Sequence, residues 1–125
     1  MTASPLNILI VEDDLDIREA LVEALELGEG YVVRTAGNGQ EGLAALDSSS
    51  VLPNLILLDL MMPVMDGYQF RATQKQSPVY GSIPVIVMSA DGKAQEKLGQ
   101  LECKEFLRKP LDLDDLIAAI KKLTA

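Results

Sequence analysis

The sequence contains no histidine. That absence excludes Ser-His and Cys-His nucleophilic mechanisms, imidazole-bound zinc and a role as phosphohistidine carrier. A single cysteine, Cys103, excludes a disulfide framework within the chain and the usual thiolate metal sites. It reads as a small packing residue in a reducing compartment. Basic residues are scarce: 11 against 19 acidic ones, a formal net charge of −8. This argues against binding to DNA or RNA, where phosphate contacts need Lys and Arg, and against anionic membrane surfaces. No apolar run approaches the roughly 20 residues that a membrane helix needs. The segment Met1-Thr2-Ala3-Ser4-Pro5 has neither the basic region nor the apolar stretch of a signal peptide. The cytoplasm is the expected location, with no membrane and no direct nucleic-acid partner.

What is present is enough for a core. The chain has 125 residues, 48% of them apolar and 24% charged, which fits one domain over residues 1–125. Ile8-Leu9-Ile10-Val11, Leu55-Ile56-Leu57-Leu58 and Val85-Ile86-Val87-Met88 are short, continuous apolar runs. Strands read this way when both faces are covered, as in a parallel sheet. Tyr31 to Thr35 reads as a strand nearer the sheet edge, and Glu105 to Arg108 as a fifth.

Helical patterns lie between them. Asp14 or Asp16 caps a helix with Ile17, Leu21, Ala24 and Leu25 on one face, and Gly28 and Gly30 stop it. Gln40 to Leu46 gives a second helix. Asp66-Gly67 opens a third, through about Gln76. Gly92 to Gln100 gives a short fourth. Asp112 caps the last, whose buried stripe is Leu113, Leu116, Ile117, Ile120 and Leu123. Five β-α repeats call for a doubly wound parallel sheet with helices on both faces. Ligands of such sheets bind beyond the carboxyl ends of the strands.

At those ends stand Glu12, Asp13 and Asp14, then Asp59, then Ser89 and Asp91, then Lys109. An acidic residue after a strand often only caps the next helix, and a lone Ser or Lys there is unremarkable. Together they place crowded carboxylates, a hydroxyl and an ammonium on one edge. Crowded carboxylates need positive compensation beyond Lys109. An all-oxygen donor set suits a hard cation, Mg2+ or Mn2+. Such a cation beside a lysine and a hydroxyl makes a receptor for a phosphoryl group, and an aspartate can itself be the nucleophile.

The stretches Ile8 to Asp14, Leu55 to Gly67, Ile83 to Ala90 and Leu107 to Pro110, in this order, resemble the receiver domains of two-component response regulators. The resemblance spans about residues 6–123. It implies a flavodoxin-like (βα)5 fold with strand order 2-1-3-4-5. It further implies that Asp59 is the phosphoacceptor, served by a sensor histidine kinase or a histidine phosphotransfer protein. Glu12, Asp13, Asp59 and the backbone carbonyl of Met61 would hold the Mg2+ or Mn2+. Ser89 would be the hydroxyl that swings toward the phosphoryl group, Lys109 its cationic partner, and Phe106 the aromatic switch. The Lys109–Pro110 bond would be cis. The receiver would catalyse its own phosphorylation and dephosphorylation without being a conventional enzyme. The face of the fourth helix, fifth strand and fifth helix would regulate a protein partner, as a monomer or a phosphorylation-linked dimer.

The chain departs from that pattern between Ser89 and Lys109, where the spacing is short and Leu101-Glu102-Cys103-Lys104-Glu105 replaces a Gly-Ala-rich strand entry. The fourth helix is therefore expected to be short, shifted or irregular. The end at Leu123-Thr124-Ala125 suggests a stand-alone receiver. Competing readings are an interaction module that is never phosphorylated, an aspartate-nucleophile phosphatase and a flavin carrier. The phosphatase wants a second Asp where Met61 stands, and Glu12 to Asp14 would repel a flavin phosphate.

Overall fold

A computed structural model describes residues 5–124. Strands β1 (Asn7–Val11), β2 (Val32–Ala36), β3 (Leu55–Asp59), β4 (Val85–Ser89) and β5 (Glu105–Arg108) alternate with helices α1 (Leu15–Glu29), α2 (Gly39–Asp47), α3 (Gly67–Lys75), α4 (Leu98–Leu101) and α5 (Leu113–Thr124). A 3-10 turn over Ala94–Lys97 leads into α4. The strands form one parallel sheet in the order β2-β1-β3-β4-β5, the order that the resemblance implied.

The continuous apolar runs have the physical cause anticipated for them. Successive strand residues point to opposite faces, and both faces are covered. Leu9, Val11, Ile56, Leu58, Val85 and Val87 pack with Leu46 of α2, Phe70 of α3 and Leu101 of α4. Ile8, Ile10, Leu55, Leu57, Ile86 and Met88 pack with Leu21 and Leu25 of α1 and with Leu116 and Ile120 of α5. Full burial of each such side chain contributes about 1.5–3 kcal/mol. The edge strand β2 is mostly exposed, and only Ala36 in it is buried.

Asp14 caps α1 by accepting from the Ile17 N–H. Gly30, at φ 73°, ends that helix in the left-handed region that glycine enters freely. Two expectations need correction. Gly28 lies inside α1 rather than ending it, because the left-handed residue that stops the helix is Gly30. Leu113 is 42% exposed and does not belong to the buried stripe of α5, which includes Ala119 instead. The fourth helix is short and irregular, as the altered spacing implied: in place of one helix over 92–100 there is a 3-10 turn over Ala94–Lys97 and the single turn of α4.

Candidate functional site

The registers bring the strand ends together. Val11 pairs with Leu58, which sets Glu12 beside Asp59. Asp59 pairs with Met88, so Ser89 stands one residue further along. Ser89 pairs with Arg108, and the Lys109 N–H donates to the Ser89 carbonyl at 3.0 Å. Lys109 thereby reaches back over the sheet edge, with its peptide bond to Pro110 in the cis form.

The side chains converge. Glu12, Asp13 and Asp59 offer carboxylate oxygens that all lie within 4.8 Å of one another. Glu12 is fully buried and Asp59 only 3% exposed; Asp13 faces solvent. Lys109 Nζ lies 2.5 Å from Glu12 Oε1 and 3.4 Å from Asp59 Oδ1. The other Glu12 oxygen accepts from the Asp14 N–H at 3.2 Å. Arg18 donates to the Glu12 carbonyl at 3.0 Å, fixing the backbone here.

These surroundings set the charges. Burial first, then the neighbouring Glu12 carboxylate, pushes the Asp59 carboxyl up from 3.8 to about 7, against the opposing pull of Lys109. Burial lowers the Lys109 ammonium, but its hydrogen bond to Glu12 and the charges of Asp59 and Glu12 outweigh this and leave it raised. The cluster is thus short of positive charge. Its donor set is oxygen only, so the residues fit a hard divalent cation.

The loop after β3 is shaped by strain. Val64 has φ 68°, and the Met65 N–H donates to the Pro63 carbonyl at 2.7 Å, closing a three-residue turn. Gly39 N–H holds the Met65 carbonyl at 2.9 Å. The Asp66 side chain accepts from the Gln69 N–H, and the Gln69 side chain accepts from the Asp66 N–H, a capping box that starts α3. Gly67 is required at this bend, because a Cβ there would lie 2.4 Å from the Asp59 carbonyl.

Such an arrangement can accept a phosphoryl group on a carboxylate, and the comparisons with known proteins agree with it. The sequence profile of the response regulator receiver domain matches residues 8–121. The chain belongs to this family.

Among its relatives, response regulator Rre1 of Synechocystis is 34% identical over 125 residues, covering 98% of this chain and 53% of that protein. Response regulator PleD of Caulobacter vibrioides is 37% identical over 118 residues, covering 93% of this chain and 26% of that protein. The chain therefore spans about half the length of the first relative and about a quarter of the second. Among solved structures, the receiver domain of a histidine kinase from Syntrophus aciditrophicus is similar at a TM-score of 0.84 and 32% identity, over 94% of this chain and 89% of that one. A receiver protein from Pseudomonas putida superposes at a TM-score of 0.86 and 28% identity, over 97% and 99%.

Receiver domains act in two-component signalling: they accept phosphoryl groups from histidine kinases, bind Mg2+ at an acidic pocket and regulate downstream effectors. In this chain Glu12, Asp13 and Asp59 form an acidic cluster that could hold such an ion. The fully buried Ser89 accepts from the Asp91 N–H at 3.0 Å. The Met61 N–H lies 3.5 Å from Asp59 Oδ1, and its side chain is 62% exposed. Phe106 is half-buried against the core on the α2, α3 and α4 face. Among the described residues no helix is long and apolar enough to cross a membrane.

Sequence reasoning overlooked one buried polar pair, Arg71 and Gln74. A signal existed: Gly67, Phe70, Arg71 and Gln74 share the buried face of α3, so two polar residues stand where helical spacing demands apolar ones.

Proposed function

We propose that this receiver takes a phosphoryl group onto Asp59 from the phosphohistidine of a sensor histidine kinase or histidine phosphotransfer protein. The observation that carries this reading is the buried Asp59 carboxylate flanked by Glu12, Asp13 and Lys109. In the transfer, an Asp59 carboxylate oxygen bonds to phosphorus as the P–N bond of the donor breaks. The departing imidazole keeps the bonding electron pair and takes up a proton. Lys109 turns from Glu12 toward the phosphoryl oxygens and offsets their charge. A divalent cation, Mg2+ or Mn2+, held by Glu12, Asp13, Asp59 and the Met61 carbonyl, supplies the remaining neutralisation when bound. The cleft lined by Ile17, Ala20, Pro110, Leu111 and Leu113 beside Lys109 offers the donor an apolar seat.

The phosphoryl group adds roughly two negative charges next to Ser89. The Ser89 hydroxyl then leaves the Asp91 N–H for a phosphoryl oxygen, and Phe106 turns into the vacated space. This biases an existing equilibrium of the α4, β5 and α5 face, which a protein partner reads. Hydrolysis returns Asp59 to the carboxylate, with Met61 and Asp91 flanking the path of the attacking water.

The test is the intact mass after incubation with Mg2+ and a small acyl or amido phosphate donor, beside Asp59→Asn. One added phosphoryl group, absent without Mg2+ and absent in the variant, is the expected result. No added mass, where a known receiver is labelled, would leave a phosphorylation-independent interaction module.

A further inference from the structure

Arg71 is only 7% exposed, and each of its three guanidinium nitrogens donates a hydrogen bond. Nε donates to the Leu101 carbonyl at 2.8 Å, Nη2 to the Glu102 carbonyl at 2.9 Å, and Nη1 to Gln74 Oε1 at 2.7 Å. Gln74 is completely buried and passes the network on, donating to the carbonyls of Tyr80 at 3.0 Å and Ile83 at 3.2 Å. Two linked side chains of α3 thus hold two segments: Arg71 the end of α4, and Gln74 the connection into β4.

The end of α4 needs that support. A four-residue helix does not sustain itself, because nucleation is unfavourable and few bonds follow to offset it. Its last carbonyls have no intrahelical partner, and Arg71 supplies one for Leu101 and another just beyond it. Glu102 adopts φ 49°, a conformation usual for glycine after a helix. Its carboxylate lies 3.1 Å from Lys75 Nζ, one turn beyond Arg71 on α3. Leu101, 1% exposed, anchors the same point in the core.

The start of the segment is held otherwise. The Asp91 N–H donates to Ser89 Oγ at 3.0 Å, and the Lys93 N–H donates to Asp91 Oδ1 at 2.9 Å. Lys97 lies over the Tyr68 ring at 5.3 Å from its centroid, and the Lys97 side chain is exposed. Ala94 is buried in the core as well, and among these ties the Ser89 hydroxyl is the one that stands at the strand end beside Asp59.

We propose that Arg71 is a positioning residue that divides the output segment: residues 90–97 follow the state of Asp59, while α4 and Glu102 stay clamped to α3. This rests on the reading of Asp59 as phosphoacceptor. The moving part of the output face is then the Ser89-linked stretch, against a fixed α4.

Hydrogen exchange by mass spectrometry tests this on the whole chain, with beryllofluoride and Mg2+ as the phosphoryl stand-in. In the wild type, the stand-in alters exchange over 90–97 and leaves 98–104 within about twofold. Arg71→Met raises exchange over 98–104 by roughly tenfold or more and makes it respond to the stand-in. Arg71→Lys, which keeps the charge and loses the fork, falls between. Adding Glu102→Gly to Arg71→Met restores part of the protection. A wild-type response over 98–104 as large as that over 90–97 overturns the proposal, and it does so even where Arg71→Met fails to fold. Failure of the phosphoacceptor reading looks different: residues 57–62 do not respond, while Arg71→Met still releases 98–104.

Discussion

Lys109 Nζ sits closer to Glu12 than to Asp59, 2.5 Å against 3.4 Å. In this state the ammonium offsets the fully buried carboxylate first. Removing one partner of a buried pair leaves the other charge uncompensated. Lys109→Met is expected to lower stability by about 1–3 kcal/mol at pH 8 without divalent ions, read as a lower urea midpoint. The Lys109 pKa is raised, so its own contribution is lost only at alkaline pH, above the ordinary lysine range. Between pH 5 and 8 the change comes from Asp59, so the deficit shrinks at pH 5, and Mg2+ reduces it at pH 8.

Asp59 itself sets a second pH dependence. Its folded pKa of about 7 lies above the ordinary value of 3.8, so the folded protein binds the proton more tightly than the unfolded chain. Stability without metal therefore falls as pH rises from about 4 to about 7 and stays low above that. Asp59→Asn cannot titrate and escapes this loss. Thermal melts in a chelator should show the variant ahead by roughly 1–3 kcal/mol at pH 8 and nearly level with the wild type at pH 4. Mg2+ should raise the wild-type melt and leave the variant unmoved. A variant less stable than the wild type at pH 8 would contradict the strained-carboxylate account.

Gly67 lies at the foot of the same site. A Cβ there would meet the Asp59 carbonyl at 2.4 Å and the Leu60 Cα at 2.7 Å. Both are backbone, so neither can swing aside. Gly67→Ala is expected to cost about 2 kcal/mol or more and to slow phosphoryl labelling of Asp59 by displacing its strand end. Gly28→Ala, with open space around it inside α1, is the control and should be neutral or stabilising.

How much of this was legible in the sequence depends on locality. β3 and β4 announce themselves because burial on both faces leaves no polar position, and the acidic residues at their ends follow from the sheet topology. Asp66 and Gly67 carry local turn and cap signals that read correctly. Leu113 misled because the apolar stripe of α5 was read as beginning at the cap; its side chain lies 42% exposed, outside the core. For Arg71 and Gln74 the spacing on α3 could mark buried polar positions, but not their partners: the carbonyls of Leu101 and Glu102 lie some thirty residues away, and no spacing rule announces which distant backbone a side chain bonds.

Val64 offers the sharpest test of stored strain. It is β-branched, 75% exposed and at φ 68°, between two residues closed by the Met65-to-Pro63 hydrogen bond. A branched side chain in that region costs about 1–3 kcal/mol. Little packing would be lost on removing it, whereas glycine adopts the conformation freely and increases the entropy of the unfolded chain by only about 0.5–1 kcal/mol. Val64→Gly should thus raise stability by roughly 0.5–1 kcal/mol, read as a higher urea midpoint at unchanged slope. The labelling rate of Asp59 then separates two roles for the strain. An unchanged rate means that the turn is held by Gly39 and the Asp66 cap whatever residue occupies position 64. A slower rate with higher stability means that the strained valine keeps Met61 and Asp59 poised, at a cost in folding energy.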